Sequence, residues 1–149
     1  MLERVVIALL LLIVGFVAYR LFKRYHIHKA TANSLLDPIL HHLQPGIPVI
    51  VYFTTPGCIP CRTQQQPALH RLQDELGNGI QVVTIDAAEN LDAANRWGVF
   101  SAPTTFVLDS TRQVRHINHG VADTAALKRQ LDTLRATIDW QQPTTRKAS

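Results

Sequence analysis

The stretch that most constrains the fold is IPVIVYFT, a continuous run of β-branched and other apolar residues at positions 47–54. Its apolar residues do not alternate with polar ones, which is typical of a central strand covered on both faces. The sequence therefore predicts a buried central strand here. The two cysteines of the chain follow this strand directly, in TTPGCIPCR.

Helices and strands alternate along the rest of the chain. Before the central strand, NSLLDPILHHLQPG has apolar residues at helical spacing and predicts one short helix that ends at Pro45-Gly46. After the cysteines, CRTQQQPALHRLQDEL predicts a helix that Pro67 should kink, because proline has no N–H to donate. Three more strands are predicted at IQVVTID, TTFVLD and QVRHINHG, a short helix at AENLDAANRWG, and an amphipathic final helix with Asp123 as its N-cap.

The cysteines, Cys58 and Cys61, do not fit a metal or haem site. A zinc site needs at least three protein ligands, and the chain has no second C-x-x-C to supply them. The seven histidines are scattered, and His116 and His119 are three apart on a predicted strand, which sends them to opposite faces. Covalent haem attachment needs a histidine directly after the second cysteine, where Arg62 stands. No metal site is therefore expected.

A structural disulfide and a reversible redox pair both fit the three-residue spacing. A disulfide this short closes a very small loop, so it removes little conformational entropy from the unfolded chain. A redox pair needs one acidified, exposed thiol and a partner within reach. Cys58 falls where the predicted helix begins, so free backbone N–H groups and the helix dipole can stabilise its thiolate, and Cys61 follows nearly one turn later. Pro60 fits the first helical turn, where its missing N–H has no consequence.

These residues and their order resemble the thioredoxin family. The resemblance covers Asp37 to Trp140 and rests on the strand, the C-x-P-C turn, the helix after it, and the later SAPTTFVLD with its closing strand and helix. It implies an α/β thioredoxin fold, in which helices flank a central mixed β-sheet. By the same resemblance Cys58 is the attacking thiol and Cys61 the resolving thiol, and the protein needs no cofactor beyond this redox-active disulfide.

The resemblance also implies a substrate-binding groove beside the cysteines. Pro103 would be a cis-proline that faces the disulfide, and the backbone of Ala102 would pair with a substrate peptide. Gly120, after the last strand, matches a glycine near the groove in the family. The expected substrate-binding residues are Gly57, Ile59, Pro60, Ala102, Pro103 and Gly120.

The chain departs from the thioredoxin pattern at several positions. Thioredoxins carry a buried aspartate on the central strand, six residues before the first cysteine, and a lysine on the next strand; here Tyr52 and Val82 stand there. Gly57 replaces the usual aromatic residue before the first cysteine, and Thr54 replaces the aromatic residue three positions earlier. Pro67 comes one residue later than the proline in the family's helix. Proton handling and the substrate surface are therefore expected to differ from those of a general thioredoxin.

A separate segment precedes the predicted domain. Residues 5–22 are apolar apart from Arg20, whose long stem can snorkel. A helix of about 18 residues is roughly 27 Å long, just enough to cross the hydrocarbon layer. We expect an uncleaved transmembrane anchor, with a cleaved signal peptide and a buried soluble helix as alternatives. The nearest small-x-small cleavage site, Ala30-Thr31-Ala32, lies beyond four basic residues, which disfavours a signal peptide.

The expected organisation is an anchor with a basic juxtamembrane segment at 1–29, a thioredoxin-like domain at 30–142 and a flexible tail at 143–149. Five of the 15 Lys and Arg residues and one of the 11 acidic residues precede residue 30, so ten of each sign remain beyond it. The domain is therefore neutral and offers no basic face for nucleic acid. By the positive-inside rule, a single-pass membrane protein with its domain in the cytoplasm is expected, and an extracytoplasmic domain is the alternative.

These features predict a membrane-tethered thiol-disulfide oxidoreductase that acts on protein disulfides, as a reductase. Its partners would be those substrates and an upstream electron donor, such as a thioredoxin-reductase-like protein or a membrane thiol carrier. One alternative is similar to the anchored thioredoxin-like proteins that reduce apocytochrome thiols outside the cytoplasmic membrane, but the chain has no room for their usual insertion. The other is a non-catalytic module that binds partners in the cis-proline groove, and the intact C-x-P-C argues against it.

Overall fold

The computed structural model describes residues 11–21 and 37–139. Residues 11–21 form a helix, α1. A four-stranded sheet is built from β1 (Val49–Thr54), β2 (Gln81–Asp86), β3 (Thr104–Leu108) and β4 (Val114–His119), in the order β2-β1-β3-β4. The strand β1 pairs in parallel with β2 and antiparallel with β3, and β3 pairs antiparallel with β4. The sheet is therefore mixed and β1 is central and buried, as the sequence predicted.

Three helices cover the two faces of this sheet: α2 (Gln66–Leu76), α3 (Leu91–Trp97) and α4 (Thr124–Asp139). Side chains of β1 alternate between the faces, because successive residues of a strand point in opposite directions. Ile50 and Tyr52 pack with leucines of α2 and α4, whereas the other face of β1 packs with α3. Helices flank a mixed sheet, so the expected α/β thioredoxin fold is confirmed.

The helix that follows the cysteines is irregular. The chain is helical from residue 59, passes through a π-helical turn at Cys61–Gln65 and continues as α2. At the end of this turn the Gln66 N–H donates to the Cys61 carbonyl, five residues back instead of four. Pro67 follows directly, and because it has no N–H to donate, it cannot close a regular turn onto the carbonyls before it. The disturbance expected at Pro67 is therefore a wide turn that accommodates one extra residue.

The short helix predicted before β1, ending at Pro45-Gly46, is shorter in the described residues than the sequence indicated. Only Pro38–Leu40 is helical there, and it is a single 3-10 turn. Asp37 caps this turn by accepting from the Ile39 N–H at 3.1 Å, and its carboxylate also accepts from the Trp97 indole at 2.8 Å. The segment is therefore fixed to α3 at this point. Residues 33–36, the first part of the predicted helix, lie outside the described residues.

The predicted anchor lies only partly within the described residues. Within residues 11–21 and 37–139, no helix combines the length and the apolarity that crossing a membrane requires. The helix α1 covers part of the apolar run. Residues 5–10 and Phe22 of that run, the basic segment up to residue 29 and the tail at 143–149 lie outside the described residues.

Candidate active site

The two cysteines lie where the carboxyl end of β1 turns into a helix. Cys58 and Cys61 are joined by a disulfide with an S–S distance of 2.04 Å and a Cα–Cα distance of 5.2 Å. The turn before them is closed by a 3.1 Å hydrogen bond from the Cys58 N–H to the Thr55 carbonyl. Cys61 is completely buried and Cys58 is 9% exposed, so the expected exposed thiol is largely covered. Of the two, Cys58 is still the one that another molecule reaches first.

Cys58 occupies the N-cap position of the helix. The Cys61 N–H donates to the Cys58 sulfur at 3.2 Å, the bond that an N-cap side chain accepts from the third helical residue. Pro60, between them, has no N–H and a helical backbone, so it fits this first turn. In the dithiol form the same N–H and the positive end of the helix dipole would stabilise a thiolate on Cys58.

The loop before β3, which contains Ala102 and Pro103, also lies beside the cysteines. The Ala102-Pro103 peptide bond is cis, as expected from the sequence. Ala102 packs against the apolar cluster that contains both cysteines. The Gly120 N–H donates to the Pro103 carbonyl at 2.8 Å, and Gly120 has a φ of 88°, which glycine adopts without strain. The structure therefore brings the disulfide, the cis-proline loop and Gly120 together.

The residues around Cys58 leave its side of the disulfide open. Gly57 is exposed, and a Cβ placed on it would meet no atom within 4 Å. Ile59 is 65% exposed, and Pro60 is partly covered. Together with the cis-proline loop and Gly120, these residues form one connected set with the disulfide. Their role in binding a substrate stays a prediction.

Two uncharged residues occupy the positions where thioredoxins carry an aspartate and a lysine. Tyr52 is completely buried in the same cluster as the cysteines, and Val82 packs against that cluster. Burial raises the pKa of the Tyr52 hydroxyl. The Thr54 hydroxyl is close enough to offset part of this effect, but within the described residues the Tyr52 hydroxyl has no hydrogen-bond partner of normal geometry. Both positions are therefore uncharged at neutral pH.

The buried carboxylates of the described residues lie elsewhere. Asp37 is bonded to Arg96 and Trp97 on the α3 side, and Asp109 accepts from Arg115 at 2.6 Å in the turn after β3. Burial would raise the pKa of each carboxyl, but the hydrogen bonds outweigh it and hold both pKa values below their usual range. Both carboxylates therefore stabilise the fold. The described residues also contain no group of three or more side chains that could hold a metal ion.

Sequence reasoning missed Gln65. This residue lies in the π-helical turn and is completely buried. Its side-chain amide donates to the Ala122 carbonyl at 3.1 Å and accepts from the Ala122 N–H at 2.8 Å. It is the middle one of three consecutive glutamines, which look like a solvated helix surface. The late position of Pro67 was the available signal, because it indicates an irregular turn in which regular helical spacing does not apply.

The known proteins that the chain resembles point to the same family. The family model described as Thioredoxin matches residues 31–133. Thioredoxin of Bacillus subtilis (strain 168) is 40% identical over 60 residues, which cover 40% of this chain and 57% of the relative. Thioredoxin 1 of Synechococcus elongatus is 31% identical over 72 residues, 48% of this chain and 66% of the relative. NADPH-dependent thioredoxin reductase 3 of Arabidopsis thaliana is 30% identical over 79 residues, 53% of this chain but 15% of that protein. The matches span less than two thirds of each of these relatives.

Solved structures show the same fold. Chloroplastic thioredoxin z has a TM-score of 0.57 and 22% identity, over 61% of this chain and 80% of that chain. Thioredoxin-2 of the malaria parasite has a TM-score of 0.57 and 20% identity, over 61% of this chain and 86% of that chain. These structures support the fold, and the family model extends over residues 31–133 of the 149. The chain belongs to the thioredoxin family.

Proposed function

We propose that the chain is a thiol-disulfide oxidoreductase that reduces disulfides in other proteins. The observation that carries the proposal is the 3.2 Å contact from the Cys61 N–H to the Cys58 sulfur at the start of a long helix. A thiol at a helix N-terminus ionises more readily than a free thiol, because the N–H groups there stabilise the thiolate. The thiolate is the form that attacks disulfides. Cys58 is also the less buried of the two cysteines. It is therefore assigned as the nucleophile.

The reaction balances within the cysteine pair and the substrate. The Cys58 thiolate attacks one sulfur of the substrate disulfide, that S–S bond breaks, and one substrate sulfur leaves as a thiolate. Cys61, after losing its proton, attacks the Cys58 sulfur of the mixed disulfide and releases the second substrate thiolate. The substrate gains two electrons and takes up two protons through solvent, and the Cys58–Cys61 disulfide is formed. No further cofactor takes part in this exchange.

The substrate is proposed to bind as an extended segment across the cis-proline loop. The backbone of Ala102, beside the cysteine cluster, would pair with the segment as an added strand does. Ile59 and Val121 are apolar and 65% and 41% exposed, so they offer apolar contacts to side chains near the target cysteine.

The electron donor is proposed to be a reductase of the thioredoxin reductase type, with a membrane thiol carrier as the second possibility. Support comes from the match to part of a protein named NADPH-dependent thioredoxin reductase 3. That match covers 15% of the relative, so it supports a connection between the two kinds of domain and does not identify the donor.

Residues 5–22 are proposed to tether the domain to a membrane, with the domain in the cytoplasm. In the described part of this run, eight large hydrophobic side chains are between 49% and 70% exposed: Leu11, Leu12, Ile13, Val14, Phe16, Val17, Tyr19 and Leu21. A contiguous apolar surface of this kind needs a membrane or a partner to cover it. Protease digestion of the domain in sealed inverted and right-side-out vesicles tests the orientation, and digestion only in right-side-out vesicles would contradict it.

The enzymatic proposal is tested by reduction of insulin with dithiothreitol as the electron source. Wild type should accelerate insulin reduction, Cys58→Ser should be inactive, and Cys61→Ser should accumulate a mixed disulfide through Cys58. A Cys58→Ser variant as active as wild type would contradict the proposal. A wild-type protein that binds insulin without reducing it would favour a binding module.

A further inference from the structure

The two walls of the proposed groove are on different elements, and one side chain joins them. Gln65 belongs to the helix that carries the cysteines, four residues after Cys61. Its amide makes two hydrogen bonds to the backbone of Ala122, in the loop between β4 and α4. One side chain thus satisfies both backbone polar groups of Ala122, as a residue of a neighbouring strand would.

The loop that Gln65 holds also touches the cis-proline. Gly120, two residues before Ala122, donates its N–H to the Pro103 carbonyl at 2.8 Å. The Thr124 hydroxyl donates to the Ala68 carbonyl of α2 at 3.1 Å, which is a second tie to the cysteine-bearing helix. Val121 lies between two fixed residues, Gly120 and Ala122, and its side chain is 41% exposed. The loop therefore has little freedom where it borders the groove.

The π-helical turn explains why a glutamine points inward here. Arg62, Thr63 and Gln64 are all exposed, whereas Gln65 is completely buried. The wide turn places one extra residue before Pro67, and Gln65 faces inward from it together with Cys61. Side-chain amides that are completely buried almost always have hydrogen-bond partners. The amide N–H and the amide oxygen of Gln65 both find theirs on the backbone of Ala122.

We infer that Gln65 is a positioning residue that sets the distance between Cys58 and the far wall of the substrate groove. It acts through Ala122 on Gly120, and through Gly120 on the cis-proline loop. This inference rests on the proposed reduction of protein disulfides. Its consequence is specific: loss of the Gln65 amide weakens the binding of substrates that lie along the groove and leaves the reactivity of Cys58 unchanged.

The test compares Gln65→Met with the matched control Gln64→Met, which changes the exposed neighbour in the same way. Each reduced protein is mixed with increasing insulin in single-turnover reactions, and with hydroxyethyl disulfide, which has no peptide backbone to occupy the groove. For Gln65→Met we expect the half-saturating insulin concentration to rise about fivefold, the effect of roughly one lost hydrogen bond. The maximal rate and the rate with hydroxyethyl disulfide should stay within about twofold of wild type, and Gln64→Met should match wild type throughout.

A second readout does not depend on activity. Hydrogen exchange of the Ala122 amide should be slow in wild type and Gln64→Met and faster by about tenfold or more in Gln65→Met. If Gln65→Met does not fold, Gln65→Leu replaces it, since it also removes both hydrogen-bonding groups and is close to glutamine in volume. Equal insulin half-saturation in wild type and in the folded Gln65 variant would overturn the inference alone. A wild-type protein that reduces neither disulfide would overturn the proposed function and the inference with it.

Discussion

Tyr52 and Phe53 are neighbours on β1, are both completely buried, and face opposite sides of the sheet. Phe53 packs against Trp97 and Phe106, with ring centroids 6.0 Å and 5.7 Å away. Tyr52 lies beside the cysteines, and its hydroxyl makes no hydrogen bond of normal geometry within the described residues. A buried hydroxyl of this kind has lost its bonds to water without replacement, so it does not stabilise the fold.

Removing that hydroxyl should therefore not destabilise the protein. Tyr52→Phe should leave the free energy of unfolding unchanged or raise it by up to about 1 kcal/mol. The matched change Phe53→Tyr, which adds a hydroxyl to the apolar cluster on the opposite face, should lower it by about 1–3 kcal/mol. Urea unfolding of the three proteins measures both differences. If Tyr52→Phe lowered the free energy of unfolding by more than about 1 kcal/mol, the hydroxyl would be hydrogen-bonded in solution.

Asp37 makes stability depend on pH. Burial alone would raise the pKa of its carboxyl, but hydrogen bonds from Arg96, Ile39 and Trp97, with the charge of Arg96, hold that pKa below the usual 3.8. The folded protein therefore binds this proton less readily than the unfolded chain. The stabilisation is complete above the unfolded pKa and is lost as the pH falls from that value through the lower folded pKa.

The Asp37→Asn variant tests this dependence. Its free energy of unfolding should be about 1–3 kcal/mol lower at neutral pH and should fall less steeply below about pH 4. Asp74→Asn changes an exposed acidic residue and serves as the control, with a profile close to that of wild type. Urea unfolding from about pH 2.5 to 7 gives the profiles. Parallel profiles for Asp37→Asn and wild type would contradict the assigned role.

At the scale of elements, the π-helical turn at Cys61–Gln65 holds one residue more than a regular helix needs. Deletion of Gln64, an exposed residue of the turn, should convert it to a regular α-helical turn and leave the domain folded. Deletion of Arg71, exposed in the regular part of α2, should rotate one end of the helix by about 100° relative to the other and turn Leu72 out of the core.

Thermal unfolding followed by circular dichroism separates the two deletions. We expect a cooperative transition for the Gln64 deletion and a much weaker or absent one for the Arg71 deletion. Equal loss of stability in both would mean that the turn is as intolerant of length changes as the rest of the helix.

The strands and the regular helices could be predicted because their sequence patterns are local. The run that became β1 is apolar throughout since both of its faces are covered, and Asp123 caps α4 by accepting from the Ala126 N–H at 2.6 Å. The 3-10 turn at Pro38–Leu40 could not be predicted in this way. It depends on contacts of Asp37 with Arg96 and Trp97, about 60 residues away along the chain.

At the scale of the whole molecule, the disulfide position and the cis-proline could be predicted from motifs, and the fold followed from their order. Burial of both cysteines and the Gln65–Ala122 bonds could not, because they depend on how separate elements meet in space. The lack of a well-placed hydrogen-bond partner for the Tyr52 hydroxyl could not be predicted for the same reason. Sequence reasoning noted that tyrosine replaces aspartate there, but the surroundings of its hydroxyl are set by packing.

The domain should function without the segment that precedes it. The family model begins at residue 31, and every strand of the sheet lies beyond residue 48. Removal of residues 1–29 should therefore leave a soluble, folded protein that reduces insulin at a rate within about twofold of the full chain. Size-exclusion chromatography and the insulin assay check this expectation. Aggregation or loss of activity after truncation would show that the first segment contributes to the fold.

The most direct test of the central assignment, Cys58 as the attacking thiolate, is the pH dependence of alkylation of each cysteine in the reduced protein. Iodoacetamide is applied briefly at a series of pH values, and mass spectrometry of the peptides gives a rate for Cys58 and one for Cys61. Because the Cys61 N–H and the helix start stabilise a thiolate on Cys58, its rate should reach half of its maximum at a lower pH than that of glutathione. Cys61, which is completely buried, should react far more slowly throughout. Equal rates for the two cysteines, with a pH midpoint no lower than that of glutathione, would contradict the assignment.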